Sequence, residues 1–241
     1  MKLSLRFNIG SRKSLRMVFI VAIDGPVGSG KSSVAKAVAK ELGFAYVDTG
    51  AIYRALALAA LEAKVSWQDH EALANLAESL EISFLPSPCG QKTLLNKIDV
   101  SQKIRTEEIS QGSSVVSQYA EVRSRLLALQ RRLGEESKSG AVLEGRDIGT
   151  VVFPHADIKI FLSASDEERA ERRFLEITQR GEPAVYAAVL AGLKERDERD
   201  EKREAAPLFA AADAILIDTD GLVQRQVIEQ IKSHIKKVYQ K

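Results

Sequence analysis

The chain of 241 residues is poor in the side chains that hold metals and disulfides: one cysteine, Cys89, and three histidines, His70, His155 and His234. A single thiol excludes an internal disulfide, a CxxC redox motif and a cysteine zinc cluster. Three scattered histidines offer no imidazole metal centre. No apolar run approaches the roughly 20 residues that span a bilayer, so no membrane partner is expected. This cysteine usage fits a reducing compartment, and a cytoplasmic location is expected. What is present is ordinary: 45% apolar and 28% charged residues, which excludes a disordered chain, a collagen-like chain and a small disulfide scaffold. At roughly 150 residues per domain the length suggests one to two domains.

The formal net charge of +2 conceals an uneven distribution. Residues 1–16 carry Lys2, Arg6, Arg12, Lys13 and Arg16 and no acid, and setting these aside leaves 30 basic against 33 acidic residues. The body is net acidic and has no basic-aromatic stripe, so no nucleic-acid partner is expected. Met17 opens an apolar strand pattern directly, and residues 1–16 read as a disordered tail or an over-called start. Their Arg- and Ser-bearing, acid-free composition also has the character of a targeting segment, though without a secretory apolar core.

Met17–Ile23 is a continuous β-branched run, the pattern of a buried parallel strand. A turn follows, then a helix over Lys31–Leu42 with Val34, Ala35, Val38 and Leu42 on one face and Gly43 as its stop. Phe44–Asp48 reads as a second strand, and Thr49-Gly50 caps a helix over about 51–63. Alternating strand and helix predict an α/β fold with a parallel sheet. Three more short apolar strands are expected at Ala141–Glu144, Asp157–Ala164 and Ala214–Thr219, the last followed by a helix over 221–238. Between the halves, residues 65–135 change character: Ile82–Leu85, a Pro86–Gly90 turn and Thr93–Val100 read as a small β element flanked by helices. A second interruption, about 166–204, is helical and dense in charge. There is no internal repeat.

Gly25-Pro26-Val27-Gly28-Ser29-Gly30-Lys31-Ser32 satisfies GxxxxGK[ST], a match expected by chance in on the order of one chain per hundred. Its position after a strand and before a helix is the confirming context. Glycines let backbone N–H groups cradle phosphates, and the helix start favours the same anion. Lys31 supplies a point charge, and the Ser32 hydroxyl is a candidate Mg²⁺ ligand.

Two further segments sit at carboxyl ends of strands, where ligands bind in open α/β sheets. Asp48-Thr49-Gly50-Ala51-Ile52-Tyr53-Arg54 offers a hydroxyl at Thr49 and a guanidinium fork at Arg54 for a second phosphate. Glu144-Gly145-Arg146-Asp147 offers a cation beside a carboxylate. Arg196, Arg199, Asp200 and Arg203 are spaced to share one helix face, and Arg169, Arg172 and Arg173 form a similar cluster. A solvated salt-bridged face is the plain reading of such runs. Beside a phosphate loop they become candidates for stabilising a transferred phosphoryl group on closure.

Together these segments resemble the bacterial-type cytidylate kinases of the nucleoside monophosphate kinase family, over residues 18–240. The specific parts are Gly145-Arg-Asp-Ile-Gly-Thr-Val-Val-Phe-Pro154 and the Arg-Asp repeat at 196–200. The resemblance implies a P-loop three-layer fold with a five-stranded parallel sheet. It implies a CORE (17–64 and 136–241), a monophosphate-binding insertion (65–135) and an Arg-rich LID at about 166–204. It implies transfer of a phosphoryl group from ATP to CMP or dCMP with Mg²⁺. Gly25, Pro26, Val27, Gly28, Ser29, Gly30, Lys31, Ser32 and Ser33 would hold ATP. Thr49, Arg54, Ser114, Arg123, Arg146, Asp147, Asp200 and Arg203 would hold the acceptor, with Ser114 and Arg123 reading cytosine and Asp200 the sugar. Lys31, Arg146, Asp147, Arg172 and Arg196 are the candidates for the chemistry. Glu144 stands where the family often has aspartate, and Thr49 where some members have serine. A monomer is expected. The competing readings are a P-loop kinase for UMP, AMP or shikimate, and a nucleotide-dependent switch. The large insertion disfavours shikimate, and a guanine-specificity Asn-Lys-x-Asp motif is absent.

Overall fold

The computed structural model describes residues 18–87 and 90–239. The basic segment 1–16, Met17 and the Pro88-Cys89 part of the expected turn lie outside the described residues.

β1 (Ile20–Asp24) is buried along its whole length, and alternation sends Val21 and Ile23 to one face and Ile20 and Ala22 to the other. α1 (Lys31–Leu42) buries Val34, Ala35, Val38 and Ala39, and Gly43, in the left-handed region, closes it. β2 (Ala45–Asp48) and α2 (Thr49–Glu62) follow. The cap of α2 is one residue earlier than expected: the Asp48 side chain accepts from the Ala51 N–H. Asp48 can do this because its carboxylate is also held by Arg54, which frees the Thr49 hydroxyl to donate elsewhere.

The next stretch holds α3 (His70–Ser79), then β3 (Ile82–Ser87), β4 (Gly90–Leu95) and β5 (Ile98–Asp99) in one antiparallel sheet. Pro86, Ser87 and Gly90, which the sequence assigns to a turn, are paired within the sheet. α4 (Glu107–Val116) and α5 (Ala120–Glu135) complete it. α2 packs against α3 and α4 in a shared apolar core that includes Ile52, Leu56, Leu73, Ile82, Ile109 and Leu126.

The chain then returns through β6 (Ala141–Gly145), a π-helical turn at Ile148–Val152 and β7 (Ile158–Ser163). α6 (Asp166–Gln179) and α7 (Tyr186–Lys202) form a polar helical pair. β8 (Ile215–Asp218) and α8 (Gln224–Tyr239) end the described chain. The five long-range strands make one parallel sheet in the order β2-β6-β1-β7-β8. α1 and α8 cover one face through Val38, Val227 and Ile231, and α5 and the π-helical turn cover the other. This is the three-layer α/β arrangement with every strand end pointing the same way, so the loops after β1, β2, β6 and β7 meet at one edge. No helix among the described residues is long and apolar enough to cross a membrane.

Candidate active site

A cleft of about 790 Å³ lies along that edge. Its floor is the loop between β1 and α1. Gly25 has φ +149°, and a Cβ there would lie 2.1 Å from the Leu162 carbonyl oxygen, so only glycine fits where the chain leaves β1. Residues 27–33 line the cleft. The Lys31 ammonium folds back onto the loop, donating to the Pro26 carbonyl and to Ser29 Oγ at 3.3 Å. It is buried, and burial first, then the Arg146 charge, lowers its pKa. No carboxylate pairs with it within 4 Å among the described residues.

Ser32 Oγ donates to Glu144 Oε2 at 2.8 Å, and the Tyr46 hydroxyl donates to the other oxygen of the same carboxylate. Burial, with Asp48 nearby, raises the Glu144 pKa, and burial with Glu144 raises that of Tyr46. The set is hydroxyl and carboxylate oxygens at the mouth of a phosphate loop, which is the hard-donor chemistry a Mg²⁺ ion accepts. No cluster of three or more His, Cys, Asp or Glu side chains suited to a metal occurs among the described residues, so any such ion would lean on nucleotide oxygens. Tyr46 escaped the sequence-based assignment, its only signal being a polar side chain within a short strand. Glu144 was singled out there beside Gly145-Arg146-Asp147, but not its bond to Ser32.

The opposite wall gathers side chains from five elements. Thr49 Oγ1 donates to the Glu144 carbonyl at 2.7 Å. Arg54 pairs with Asp48 at 2.7 Å. Arg123 pairs with Asp147, donates to the Ser117 carbonyl at 3.0 Å and lies over the Tyr53 ring. Arg146 pairs with Asp200 at 2.8 Å. Arg203 is buried beside Asp147 and Asp200 at 3.9 and 3.7 Å. Burial pushes the Asp200 carboxyl up, but Arg146, Arg196 and Arg203 together hold it below the usual range.

Positive charge exceeds its partners here. Arg196 is half-buried, donates only to Ser110 Oγ at 2.9 Å and leaves its Nε unpartnered. Desolvation and the Arg146 charge push it down to about 10. Arg203 is likewise lowered by burial and by Arg123 and has an unpartnered Nη2, and Arg54 Nε is unpartnered too. Buried cations whose donors lack acceptors mark a place built for an anion.

Several expected groupings resolve differently. Arg169, Arg172 and Arg173 do not converge. Arg169 turns inward to Asp197 and the Val27 carbonyl, Arg172 goes to Glu168 and Thr219, and Arg173 to Glu107 and Glu176. Their helical spacing at i, i+3, i+4 brought them to one side of α6, but each found a different carboxylate. Arg172 still lines the cleft beside the phosphate loop. Ser114 is buried and its hydroxyl accepts from Arg199 at 2.9 Å, whereas the serines of α4 and its C-terminal end that line the cleft are Ser110, Ser113 and Ser117. Arg123, by contrast, lies in the cleft wall.

A family model described as cytidylate kinase matches residues 21–237. A cytidylate kinase of Citrifermentans bemidjiense is 50% identical over 217 residues, covering 90% of this chain and 92% of that protein. One from Desulfitobacterium hafniense is 46% identical over 213 residues, 88% of this chain and 90% of its own. One from Pasteurella multocida is 44% identical over 217 residues, 90% and 95%.

Proposed function

The chain belongs to the cytidylate kinase family, and on that premise we propose that its cleft transfers the γ-phosphoryl group of ATP to CMP or dCMP, giving ADP and CDP or dCDP. The enzyme is an ATP-dependent phosphotransferase. The observation that carries the assignment to this cleft is that Lys31, which no carboxylate among the described residues pairs, lines it together with Arg54, Arg196 and Arg203, each of which has a buried guanidinium nitrogen without a hydrogen-bond partner. Two anions, one on each wall, would satisfy them.

In this reading residues 25–33 hold the triphosphate of ATP, with Lys31 swinging from the Pro26 carbonyl onto its oxygens. Thr49, Arg54, Arg123, Arg146, Asp147, Asp200 and Arg203 hold the acceptor. A CMP phosphate oxygen attacks the γ-phosphorus, the bond to the β,γ-bridging oxygen breaks, and that oxygen leaves on ADP. The acceptor oxygen is already anionic near neutral pH, because a phosphate monoester has its second pKa near about 6. No general base is therefore needed. Asp147, locked to Arg123, orients cations and accepts no proton. Arg146, Arg172 and Arg196 stabilise charge on the transferred group. Ser32, backed by Glu144, would help hold Mg²⁺, which when bound neutralises phosphate charge. Ser114 acts on the base or, through Arg199, on closure of the helical pair α6–α7.

The reading extends to organisation. Residues 17–64 and 136–241 serve as CORE, 65–135 as the acceptor-binding insertion, and about 166–204 as a LID that excludes water. The enzyme works as a cytoplasmic monomer. The test is ADP release with Mg·ATP against CMP, dCMP, UMP, AMP, GMP and shikimate. Rapid turnover with CMP and dCMP and little with purines is expected. Fast turnover only with another acceptor would remove the cytosine assignment, and slow acceptor-independent ATP loss would favour a switch.

A further inference from the structure

The turn that carries Arg146 and Asp147 is followed by an uncommon element. Val152 N–H donates to the Asp147 carbonyl at 3.1 Å and Phe153 N–H to that of Ile148 at 2.7 Å, the i to i+5 spacing of a π-helix. Such turns are rare and gather at functional sites. This one is gripped at both ends by charges of the sign its peptide dipoles favour.

At its start, Asp24 Oδ1 accepts from the Ile148 N–H at 2.8 Å and Oδ2 from the Gly149 N–H at 2.7 Å. At its end, Arg131 donates Nε to the Val152 carbonyl at 2.8 Å and Nη2 to that of Val151 at 3.1 Å. Asp24 is the last residue of β1, next to Gly25, and its Cα is the ladder partner of Gly145. One buried carboxylate therefore joins the strand that launches the phosphate loop to the segment bearing Arg146 and Asp147. Arg131 stands on α5, the helix that also carries Arg123, so α5 grips the same segment twice, at Asp147 and at its end. The middle of the turn lies flat against β7: a Cβ on Gly149 would be 3.2 Å from Cγ and Cδ of Lys159. Neither Asp24 nor Arg131 lines the cleft.

We propose that Asp24 and Arg131 are positioning residues that clamp the π-helical turn and thereby hold Arg146 and Asp147 in register with the phosphate loop. The proposal rests on the reading that Arg146 and Asp147 engage the acceptor. Their alignment against the donor is what the clamp supplies, and a misplacement of about 1 Å can cost 10²-fold in rate.

The test compares wild type with Asp24→Asn, Arg131→Gln and Arg131→Lys in the full chain, measuring kcat, KM for each substrate, thermal midpoint and exchange of the Ile148 and Gly149 amides. Asp24→Asn keeps the shape but offers one acceptor oxygen to two N–H groups. It is expected to lower kcat/KM for CMP by roughly 10–100-fold, with KM for ATP within about twofold and faster exchange at both amides. Arg131→Gln, at a more exposed contact, is expected to cost about threefold, and Arg131→Lys to recover part of it. CMP kinetics of both Asp24→Asn and Arg131→Gln within about twofold of wild type would overturn the clamp. So would an Asp24→Asn loss shared equally by ATP affinity and thermal midpoint, the mark of a merely structural residue. If Asp24→Asn does not fold, the two Arg131 variants decide alone: a CMP-specific loss for glutamine with recovery for lysine supports the clamp, and no loss overturns it. If the wild type does not phosphorylate CMP, the functional reading falls by itself. The clamp is then judged on the amides, and unchanged exchange in Asp24→Asn overturns it too.

Discussion

The two walls of the cleft solve the same problem, holding phosphate, by opposite means. The donor wall is contiguous: residues 27–33 line it as one stretch of chain, and one lysine, Lys31, supplies the charge. The acceptor wall is assembled from side chains on α2, α5, α7 and the segments after β6 and α7, with Arg54, Arg123, Arg146 and Arg203 each paired with or beside a carboxylate. The shape of the donor stretch is set largely by consecutive residues, with Asp197 and Arg169 bracing it at the Val27 N–H and carbonyl. An ion-pair lattice depends on the relative placement of distant elements, and removing one member strands its partner in a dry site.

The sharpest way to break this comparison is Lys31→Ala, which removes the one charged side chain of the donor wall. A fall in kcat of about 10²–10³-fold is expected, with KM for CMP within about threefold, read by steady-state ADP release. An unchanged kcat would sink the donor-wall assignment. Asp147→Asn attacks the lattice instead. It leaves Arg123 without its buried carboxylate and Arg203 with Asp200 alone, so a stability loss of roughly 3 kcal/mol and a raised KM for CMP are expected together in denaturant titration and kinetics. The pH–rate profile of that variant keeps its acidic limb, because protonation of the acceptor phosphate sets it; a lost limb would make Asp147 a base.

A double-mutant cycle on Ser114→Ala and Arg199→Ala sharpens the acceptor side. If the hydroxyl serves closure through Arg199, the two losses in kcat/KM are non-additive by about 1 kcal/mol. Strict additivity returns Ser114 to the base.

A further effect is one of pH. Burial pushes the Asp24 carboxyl up to about 6, with Asp147 raising it and the Ile148 and Gly149 N–H groups and Lys31 lowering it. A raised carboxyl means the folded chain binds a proton that the unfolded chain has released. This contribution is fully present below the unfolded value near 4 and is lost as pH rises through about 6. Between pH 5 and 7 wild type should therefore lose roughly 1–2 kcal/mol relative to Asp24→Asn. Parallel thermal midpoints of the two proteins across that range would contradict it.

The legibility of the molecule follows the same division as its cleft. The β1–α1 unit, with its apolar run, glycine turn and helix ending at Gly43, was readable from consecutive residues, as were the other parallel strands and both interruptions. Thr49 was misread as a cap because Asp48 looked like the end of a strand. Its capping role depends on Arg54 holding the second carboxylate oxygen. The arginines of α6 looked like one cluster because helical spacing puts them together, but it does not say which carboxylates they meet. Arg169 is spent on Asp197 inside the helical pair.

By itself, then, the order of residues determined the elements, the parallel α/β architecture, the phosphate loop and the resemblance from which the family follows. Those are matters of local periodicity, turn chemistry and contiguous motif. Only tertiary structure decided that Tyr46 and Glu144 stand behind Ser32, that Ser114 answers to Arg199, and that Asp24 holds residues more than 120 positions away. Each is a contact between side chains whose partners are set by sheet register and helix packing. Desolvation then amplifies the energy of those contacts in a way that no local pattern encodes.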